Sequence, residues 1–455
     1  MASLTASLRT SLVRLLGASS LSSLAAAALV ACVAAGCGST AGGGVATTDA
    51  GRPGPGLAEQ STAAPIELFS WWARIGESDA LGALTREHQR HYPNDVIINA
   101  TAELSGLARS TLRTRMQRNE PPDTFQANVG KDLMQWVLVN GLDDRETKLS
   151  PLDDVIDDVA TWRRTMPKVL IDEVSYDGKL YAVPSNIHRL NTLFYNKKIF
   201  ETYGLTEPKT IDDLKSMAKK LDGTGVRLIA VGSREPWTLA LIAFECMLVA
   251  REGPEFYDNY FRGNVRADDP RILADLNAML DLLSLANDDH AQLSWLQALE
   301  LVVRGKAALT IMGDWARVSF NARGMKYGQD YAEMPFPQSE DTFVYTSDTF
   351  PLPIQAKNRA GAIRLLKSMG SAEGQRVMNA AKGALSARTD VAPENDPMFM
   401  SKHALLQRGP LVLALSGLVP PRFASDLGGA LSEMSEQRDL EPVVQTLRSR
   451  YALLK

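Results

Sequence analysis

The sequence predicts an α/β protein folded into two lobes, and three observations lead to this prediction. The chain has 455 residues, more than one hydrophobic core usually organises, so we expect two lobes. Strand-like and amphipathic stretches alternate over residues 66–128 in a β–α–β–α–β order, which is typical of a doubly wound parallel sheet. Aromatic and polar residues of similar chemistry recur far apart in the chain, and facing lobes would bring them together.

The first expected strand lies in Ile66–Glu77 and ends in two tryptophans. Its opening residues, Ile-Glu-Leu-Phe-Ser, suit a buried strand. Trp71 and Trp72 follow at the carboxyl end, where open α/β sheets form their ligand crevice. Indole platforms beside the Glu77 carboxylate suit a sugar, which offers C–H faces and hydroxyls. Since successive strand residues point to opposite faces, we expect one indole in the core and favour Trp72 as the stacking ring.

The N-terminal 37 residues are predicted to be a lipoprotein signal peptide. Two arginines and no acidic residue precede an Ala/Leu-rich run, which ends in two cysteines. Both Cys32 and Cys37 lie in sequences that resemble the lipobox, and Cys37 is slightly favoured because a polar Gly-Ser-Thr follows it. Residues 38–64 are rich in Gly, Ala, Thr and Pro, which predicts a flexible tether. We therefore expect a cell-envelope or periplasmic protein that meets the membrane only through a lipid anchor.

Composition restricts the function classes. Hydrophobic residues make up 45% of the chain, charged residues 22%, and the net charge is −4. This balance excludes gross disorder, and it lacks the basic bias of a nucleic-acid-binding protein. Cys246 is the single cysteine after Cys37, so we expect a buried free thiol. His88 and His91 have no third ligand nearby, so we expect a solvated helix face and no metal.

Later elements mark where the chain crosses between lobes. Asp177-Gly178 between two strand-like runs predicts a hairpin turn, and Thr210 begins a helix with a capping-box pattern. We expect crossings near Val183–Pro184, Met312–Asp314 and Phe350–Ala360. The expected organisation is lobe 1 at residues 65–183, completed by about 314–360, and lobe 2 at residues 184–313, completed by about 361–455.

Polar and aromatic residues follow several of these strands. The third strand ends in amides at Gln126 and Asn128, which can donate to and accept from hydroxyls. A later strand leads into His188, and Trp237 follows a strand further along the chain. Asp314 is equally suited to cap the next helix or to bind a ligand.

Together these motifs resemble the extracellular solute-binding proteins of ABC sugar importers, closest to their glucose/mannose-binding branch. The resemblance covers residues 66–454. The motifs that carry it are Phe69-Ser70-Trp71-Trp72 with Glu77, Asp123-Thr124-Phe125-Gln126, Asp177-Gly178-Lys179-Leu180-Tyr181-Ala182-Val183-Pro184, Asn186-Ile187-His188-Arg189, Phe194-Tyr195-Asn196-Lys197-Lys198, Glu235-Pro236-Trp237, Met312-Gly313-Asp314-Trp315 and Lys382-Gly383 with Ala387-Arg388-Thr389-Asp390.

The resemblance implies a two-lobed, periplasmic-binding-protein-like fold with a hinge and a ligand cleft between the lobes. It also implies a monomeric binding protein, without enzymatic activity or cofactor, that delivers a sugar to permease subunits. The residues expected to bind the ligand are Trp71, Trp72, Glu77, Gln126, Asn128, His188, Trp237, Asp314, Asp348 and Lys382.

Two positions depart from the branch pattern and leave the sugar open. Asn128 and Ser416 stand where histidines are common. A serine leaves space for a water or for a larger ligand, so D-glucose is the first candidate and a disaccharide its main rival. A glycoside hydrolase is the alternative function, because it too pairs carboxylates with aromatic platforms. A signalling or adhesion module is a third class.

Overall fold

The computed structural model describes residues 64–74, 76–101, 105–138, 147–393 and 396–455. They all belong to one compact unit, Ser61–Lys455. The predicted signal peptide, with Cys32 and Cys37, and nearly all of the predicted tether lie outside the described residues.

Within these residues the strands are short, and many are fully buried. In chain order they are β1 (Ile66–Ser70), β2 (Ile97–Thr101), β3 (Thr124–Phe125), β4 (Ala127–Asn128), β5 (Ser175–Tyr176), β6 (Lys179–Leu180), β7 (Ala182–Pro184), β8 (Asn186–Arg189), β9 (Thr192–Asn196), β10 (Arg227–Ala230), β11 (Ala307–Ile311), β12 (Tyr331–Pro335), β13 (Phe343–Thr346), β14 (Asp348–Pro351), β15 (Leu385–Ser386) and β16 (Leu411–Leu413).

The helices are, in the same order, α1 (Glu77–His91), α2 (Ser105–Gln117), α3 (Lys131–Met134), α4 (Val159–Thr165), α5 (Lys168–Glu173), α6 (Lys197–Thr202), α7 (Ile211–Lys220), α8 (Trp237–Ala240), α9 (Val249–Glu252), α10 (Pro254–Phe261), α11 (Pro270–Leu283), α12 (Trp295–Val303), α13 (Ala316–Asn321), α14 (Arg359–Gly370), α15 (Ala372–Lys382), α16 (Pro397–Arg408), α17 (Leu415–Leu418), α18 (Pro421–Gln437) and α19 (Glu441–Arg450). A π-helical segment, Leu241–Leu248, joins α8 to α9.

The first sheet is the parallel sheet that the sequence predicts. Its strand order is β2-β1-β3, and both neighbours run parallel to β1. Parallel strands need a crossover connection, and α1 and α2 provide it. Since β1 and β3 end at the same edge, the tryptophans after β1 and Gln126 after β3 are brought together.

A second sheet has the order β10-β11-β9-β12. β10 and β11 are parallel, whereas β9 is antiparallel to both β11 and β12. The segment leading from β10 carries Glu235 and Trp237. The prediction of a two-lobed α/β fold is confirmed.

Two antiparallel ladders connect the parts of the molecule. β7 pairs with β14, and β8 pairs with β13. Only Ser185 separates β7 from β8, and only Ser347 separates β13 from β14. The Ser185 amide donates to the Asp348 carbonyl at 2.9 Å. The segment β7–β8 and the segment β13–β14 therefore pass from one ladder to the other side by side.

Three predictions about short segments or single residues are confirmed. Asp177 and Gly178 have φ angles of 47° and 72° and join β5 to β6 as an antiparallel hairpin, which suits a type I′ turn. The Thr210 hydroxyl caps α7 in a capping box with Asp213. Cys246 is a buried free cysteine, as expected.

Two expectations about helix surfaces and caps are wrong. His88 is completely buried, and its ring bonds to Ser368 at 2.8 Å and to Asp95 at 3.1 Å, so only His91 lies on a solvated face. Asp314 does not cap α13, because that helix begins after Trp315 and has no side-chain cap. Its carboxylate has other partners, described below.

Buried apolar side chains of the first and second sheets and of their covering helices form one continuous cluster. Within the described residues, no helix combines the length and the apolar composition that crossing a membrane requires.

Gly370→Ala should destabilise the protein, because the added Cβ would lie 2.3 Å from the buried Trp162 ring. Overpacking of this kind costs about 1–3 kcal/mol. Gly429→Ala is the matched control, since a Cβ there meets nothing within 4 Å, and it should stabilise α18 by about 0.5–1 kcal/mol. Urea midpoints at unchanged slope measure both effects; a wild-type midpoint for Gly370→Ala would contradict the packing described.

Candidate functional site

A cleft of about 190 Å³ is lined by residues that follow β1 of the first sheet and β10 of the second, together with residues of other elements. Its walls carry four indoles, a set of polar and charged groups, and a few aliphatic residues. The indoles are Trp71, Trp237, Trp295 and Trp315. The polar and charged residues are Arg74, Glu77, Arg109, Asn128, His188, Glu235, Glu245, Thr346, Asp348, Lys382 and Ser416.

The double tryptophan divides into a cleft residue and a core residue, but in the opposite sense to the one expected. Trp72 is only 1% exposed and packs edge-on against Phe350, with ring centroids 5.4 Å apart. Trp71 lines the cleft, and the Arg109 guanidinium covers one ring face at 4.7 Å. The preference for Trp72 as the stacking ring is therefore wrong, because that ring is enclosed by the core.

Asp348 lies at the centre of the site, on the first residue of β14. Its Oδ1 accepts from Gln126 Nε2 at 2.6 Å, and its Oδ2 accepts from Asn186 Nδ2 at 2.7 Å. Burial alone would raise the pKa of Asp348, but the nearby cations and donors outweigh it and hold that pKa well below its usual range. Asp348 is thus a fixed anion at the cleft wall.

Gln126 does not line the cleft, although the sequence predicts a ligand contact. It is 1% exposed, and its Oε1 accepts from the Trp71 backbone amide at 3.2 Å. Since its other end holds Asp348, Gln126 fixes the positions of an indole and a carboxylate relative to each other.

His188 sits between two buried carboxylates. Its Nδ1 lies 2.5 Å from Asp314 Oδ1, and its Nε2 lies 3.4 Å from Asp348 Oδ2. Burial lowers the pKa of His188, but the two anions more than compensate and raise it above its ordinary value. A charged imidazolium can donate to both carboxylates at once.

Asp314 also departs from expectation, since it is fully buried behind His188 and does not line the cleft. Its Oδ2 accepts from Lys402 Nζ at 3.1 Å and from the Arg189 amide at 3.1 Å. Burial alone would raise the pKa of Asp314, but Lys402 and His188 lower it by more, so this pKa lies below its usual value. Asp314 therefore orients His188 and has no free face for a ligand.

Glu77 and Lys382 approach each other at the cleft wall. Lys382 Nζ lies 3.4 Å from Glu77 Oε1 and 4.4 Å from the Trp72 ring centroid. The lysine thus joins the carboxylate after β1 to the end of α15 and packs on the buried indole, a favourable cation–π arrangement.

The two positions at which the sequence departs from the pattern that it resembles contact each other. Asn128 Nδ2 donates to Ser416 Oγ at 3.1 Å. Space that a smaller serine would otherwise leave is thus occupied in part by the asparagine amide.

Several cleft residues were not assigned from the sequence. Arg74 donates to Glu235 at 3.2 Å, and Trp315 packs edge-on against His188 with ring centroids 5.3 Å apart. Arg74, Glu235 and Trp315 stand within three residues of predicted site residues, and this proximity was the available signal. Trp295, the first residue of α12, had no comparable signal.

Glu245 is a further unassigned cleft residue, on the π-helical segment Leu241–Leu248. Its Oε1 accepts from the Leu415 amide at 2.9 Å, while burial raises its pKa to about 7. Among the described residues, no three side chains of His, Cys, Asp or Glu are placed to hold a metal.

The sequence matches the bacterial extracellular solute-binding proteins over residues 89–376. An uncharacterised ABC transporter extracellular-binding protein of Pyrococcus horikoshii is 34% identical over 82% of this chain and 84% of its own length. The xylose/arabinose-binding protein of Haloferax volcanii is 26% identical over 74% of this chain and 72% of its own.

A solved chitin oligosaccharide binding protein superposes with a TM-score of 0.74 at 18% identity, covering 86% of this chain and 98% of that one. This likeness concerns the fold. On the family match and the Pyrococcus relative, the chain belongs to the bacterial extracellular solute-binding proteins, and it is a binding protein rather than an enzyme.

The raised pKa of His188 predicts a specific pH dependence. The stability that its charged form contributes is complete below the unfolded value of 6.5 and is lost as pH rises through the folded pKa. The stability advantage of wild type over His188→Gln should therefore shrink as pH rises above 6.5, measured by urea unfolding. In an NMR titration the His188 ring should lose its second proton at a pH above 6.5; loss of that proton below 6.5 would refute the assignment.

Proposed function

We propose that this protein is the sugar receptor of an ABC importer and captures a monosaccharide in the cleft. The observation that carries the proposal is the lining of one cleft by four indoles together with anionic and cationic side chains. Indole faces suit the C–H faces of a sugar ring, and ionised groups form the stronger hydrogen bonds to its hydroxyls. The sugar-named relative from Haloferax supports the same class of ligand.

Hydrogen bonds from the polar groups of the cleft can supply the free energy that micromolar binding requires. Micromolar affinity requires about −8 kcal/mol, and hydrogen bonds to charged groups contribute roughly 1.5–3 kcal/mol each. Glu77, Asp348 and Lys382 already have partners in the protein, so little ordering is needed when they bind a hydroxyl.

A single sugar ring is favoured over two by the contact between Asn128 and Ser416. Their hydrogen bond at 3.1 Å places the asparagine amide in part of the space that a serine leaves in place of a histidine. D-glucose remains the first candidate, and xylose, mannose and a disaccharide are its competitors.

The ligand closes the two lobes by contacting both. The lobe boundaries expected from the sequence are residues 65–183 and 184–313, completed by about 314–360 and 361–455. The completing segments need correction, because β12 pairs with β9 in the second sheet, whereas Gly370 lies against Trp162 and Lys382 meets Glu77 on the first lobe. The lobes pivot where Ser185 and Ser347 interrupt the paired strands. A ligand shifts such an equilibrium only by its differential affinity for the closed state, so neither ATP nor a metal is needed at this step. The monomeric closed receptor then delivers the sugar to permease subunits, held to the membrane through Cys37 or Cys32.

A glycoside hydrolase is the alternative function, and the family to which the chain belongs disfavours it. Such enzymes need one carboxyl group that gives a proton to the leaving group; the lowered pKa of Asp348 keeps that group ionised, whereas burial raises the pKa of Glu235 and of Glu245. Glu77 is joined to Lys382, which likewise favours a binding role.

Isothermal titration with glucose, mannose, galactose, xylose, maltose and trehalose tests the function. One monosaccharide should bind with a Kd in about the micromolar range, with no loss of affinity in EDTA and no release of new reducing ends. Tenfold tighter binding of maltose or trehalose than of every monosaccharide would contradict the single-ring assignment, and loss of affinity in EDTA would contradict metal-independent binding.

Trp71→Ala should affect mainly sugar binding, whereas Trp72→Ala should affect mainly stability. Trp71→Ala should weaken sugar binding at least about tenfold while the urea midpoint changes little, because this ring borders the cleft. Trp72→Ala should lower the free energy of unfolding by about 3–5 kcal/mol, because the ring is enclosed. Trp162→Ala, a core tryptophan from another part of the fold, is the control for a purely thermal effect. Equal thermal effects at positions 71 and 72 would disprove the division.

A further inference from the structure

Glu235 is a buried acid at the cleft wall that none of the preceding assignments uses. It follows β10 and precedes α8, it is 7% exposed, and it lines the cleft. Burial raises its pKa, while Arg74 opposes that shift. A carboxyl group in such a position needs donors for both of its oxygens.

The two oxygens of Glu235 have different surroundings. Oε1 accepts from Arg74 Nη2 at 3.2 Å, whereas Oε2 is buried and has no hydrogen-bond partner among the described residues. Leaving a buried acceptor unsatisfied costs free energy. Oε2 itself is enclosed, but the residue borders the cleft, so a donor bound in the cleft can reach Oε2 once the carboxylate turns toward it.

Arg74 makes this carboxylate part of a contact across the cleft. It follows β1 in the first sheet, whereas Glu235 follows β10 in the second. The same guanidinium lies 5.6 Å from the Trp295 ring centroid, at the start of α12. One arginine from the first sheet thus contacts two cleft residues on the other side.

We propose that Glu235 is a ligand-binding and specificity-determining residue, whose free oxygen accepts a hydrogen bond from one sugar hydroxyl. This inference rests on the proposed sugar-binding function. Arg74 holds Oε1 and so fixes the direction of Oε2, which makes Arg74 the positioning residue. Since the bound hydroxyl and Arg74 then share one carboxylate, sugar recognition is coupled to the contact between the two sides of the cleft.

The experiment distinguishes a carboxylate that contacts the ligand from one that only holds the two sides of the cleft together through Arg74, called a latch below. Wild type, Glu235→Gln, Arg74→Gln and the double variant are titrated with D-glucose, D-mannose, D-galactose and D-xylose. Glu235→Gln should weaken the tightest-binding sugar at least about tenfold, because it removes a charged acceptor. Arg74→Gln should weaken it clearly less. A carboxylate that acts only as a latch would make the two single variants and the double variant equal, which would overturn the proposal.

Monodeoxy derivatives of the tightest of these four sugars identify the hydroxyl. One derivative should bind wild type at least about tenfold more weakly than its parent, and this discrimination should shrink at least about fivefold in Glu235→Gln. Unchanged discrimination for every derivative would overturn the proposal. A latch alone does not change the ratio between parent and derivative.

Glu300→Gln is the matched control, since Glu300 is ion-paired to Arg304 and Arg323 away from the cleft, and it should bind as wild type does. If Glu235→Gln does not fold, Glu235→Asp keeps the charge but withdraws the acceptor, and it should show the same loss. A wild type that binds none of the four sugars overturns the monosaccharide assignment and this inference together. A wild type that binds one of them equally well after Glu235→Gln overturns this inference alone.

Discussion

The buried carboxylate of Asp348 is the constraint on which the rest of the site depends. An ionised group removed from water is stable only when opposite charges and donors surround it. Gln126, Asn186 and His188 supply these contacts. Gln126 follows β3, whereas Asn186 and His188 both belong to β8, so satisfying one carboxylate on β14 fixes the first sheet and both antiparallel ladders relative to one another.

The same constraint explains why the charges alternate beyond the cleft. His188, whose pKa is raised, lies between two carboxylates, and Asp314 in turn pairs with Lys402. Lys402 also meets Glu333 at 3.3 Å. Buried ion pairs are costly to break because removing one member leaves an unpaired charge. Removing any one of these side chains would therefore leave an unpaired charge buried behind the cleft wall.

Rules that depend on neighbouring residues predicted much of the fold. Roles that depend on a contact with a residue far away in the sequence were not predicted. The parallel order of β1, β2 and β3, the Asp177-Gly178 hairpin and the Thr210 cap follow from neighbouring residues alone. The roles of His88 and Asp314 depend on Ser368, 280 residues away from His88, and on Lys402, 88 residues away from Asp314. Alternation correctly separated Trp71 from Trp72, but it does not reveal which side of a strand end faces the core. Most predicted site residues do border the cleft; the three that do not, Trp72, Gln126 and Asp314, contact residues that do.

The π-helical segment Leu241–Leu248 has a consequence for how this receptor family can diversify. Its hydrogen bonds span five residues rather than four, so the segment accommodates more residues per turn than an α-helix does. Deleting one residue there would restore α-helical winding and rotate Glu245 relative to Leu415, its present partner. An acid with a pKa of about 7 at the cleft thus depends on chain length as well as on residue type. Insertions and deletions in this helix, and not only point substitutions, are a route by which related receptors can gain or lose an acidic contact.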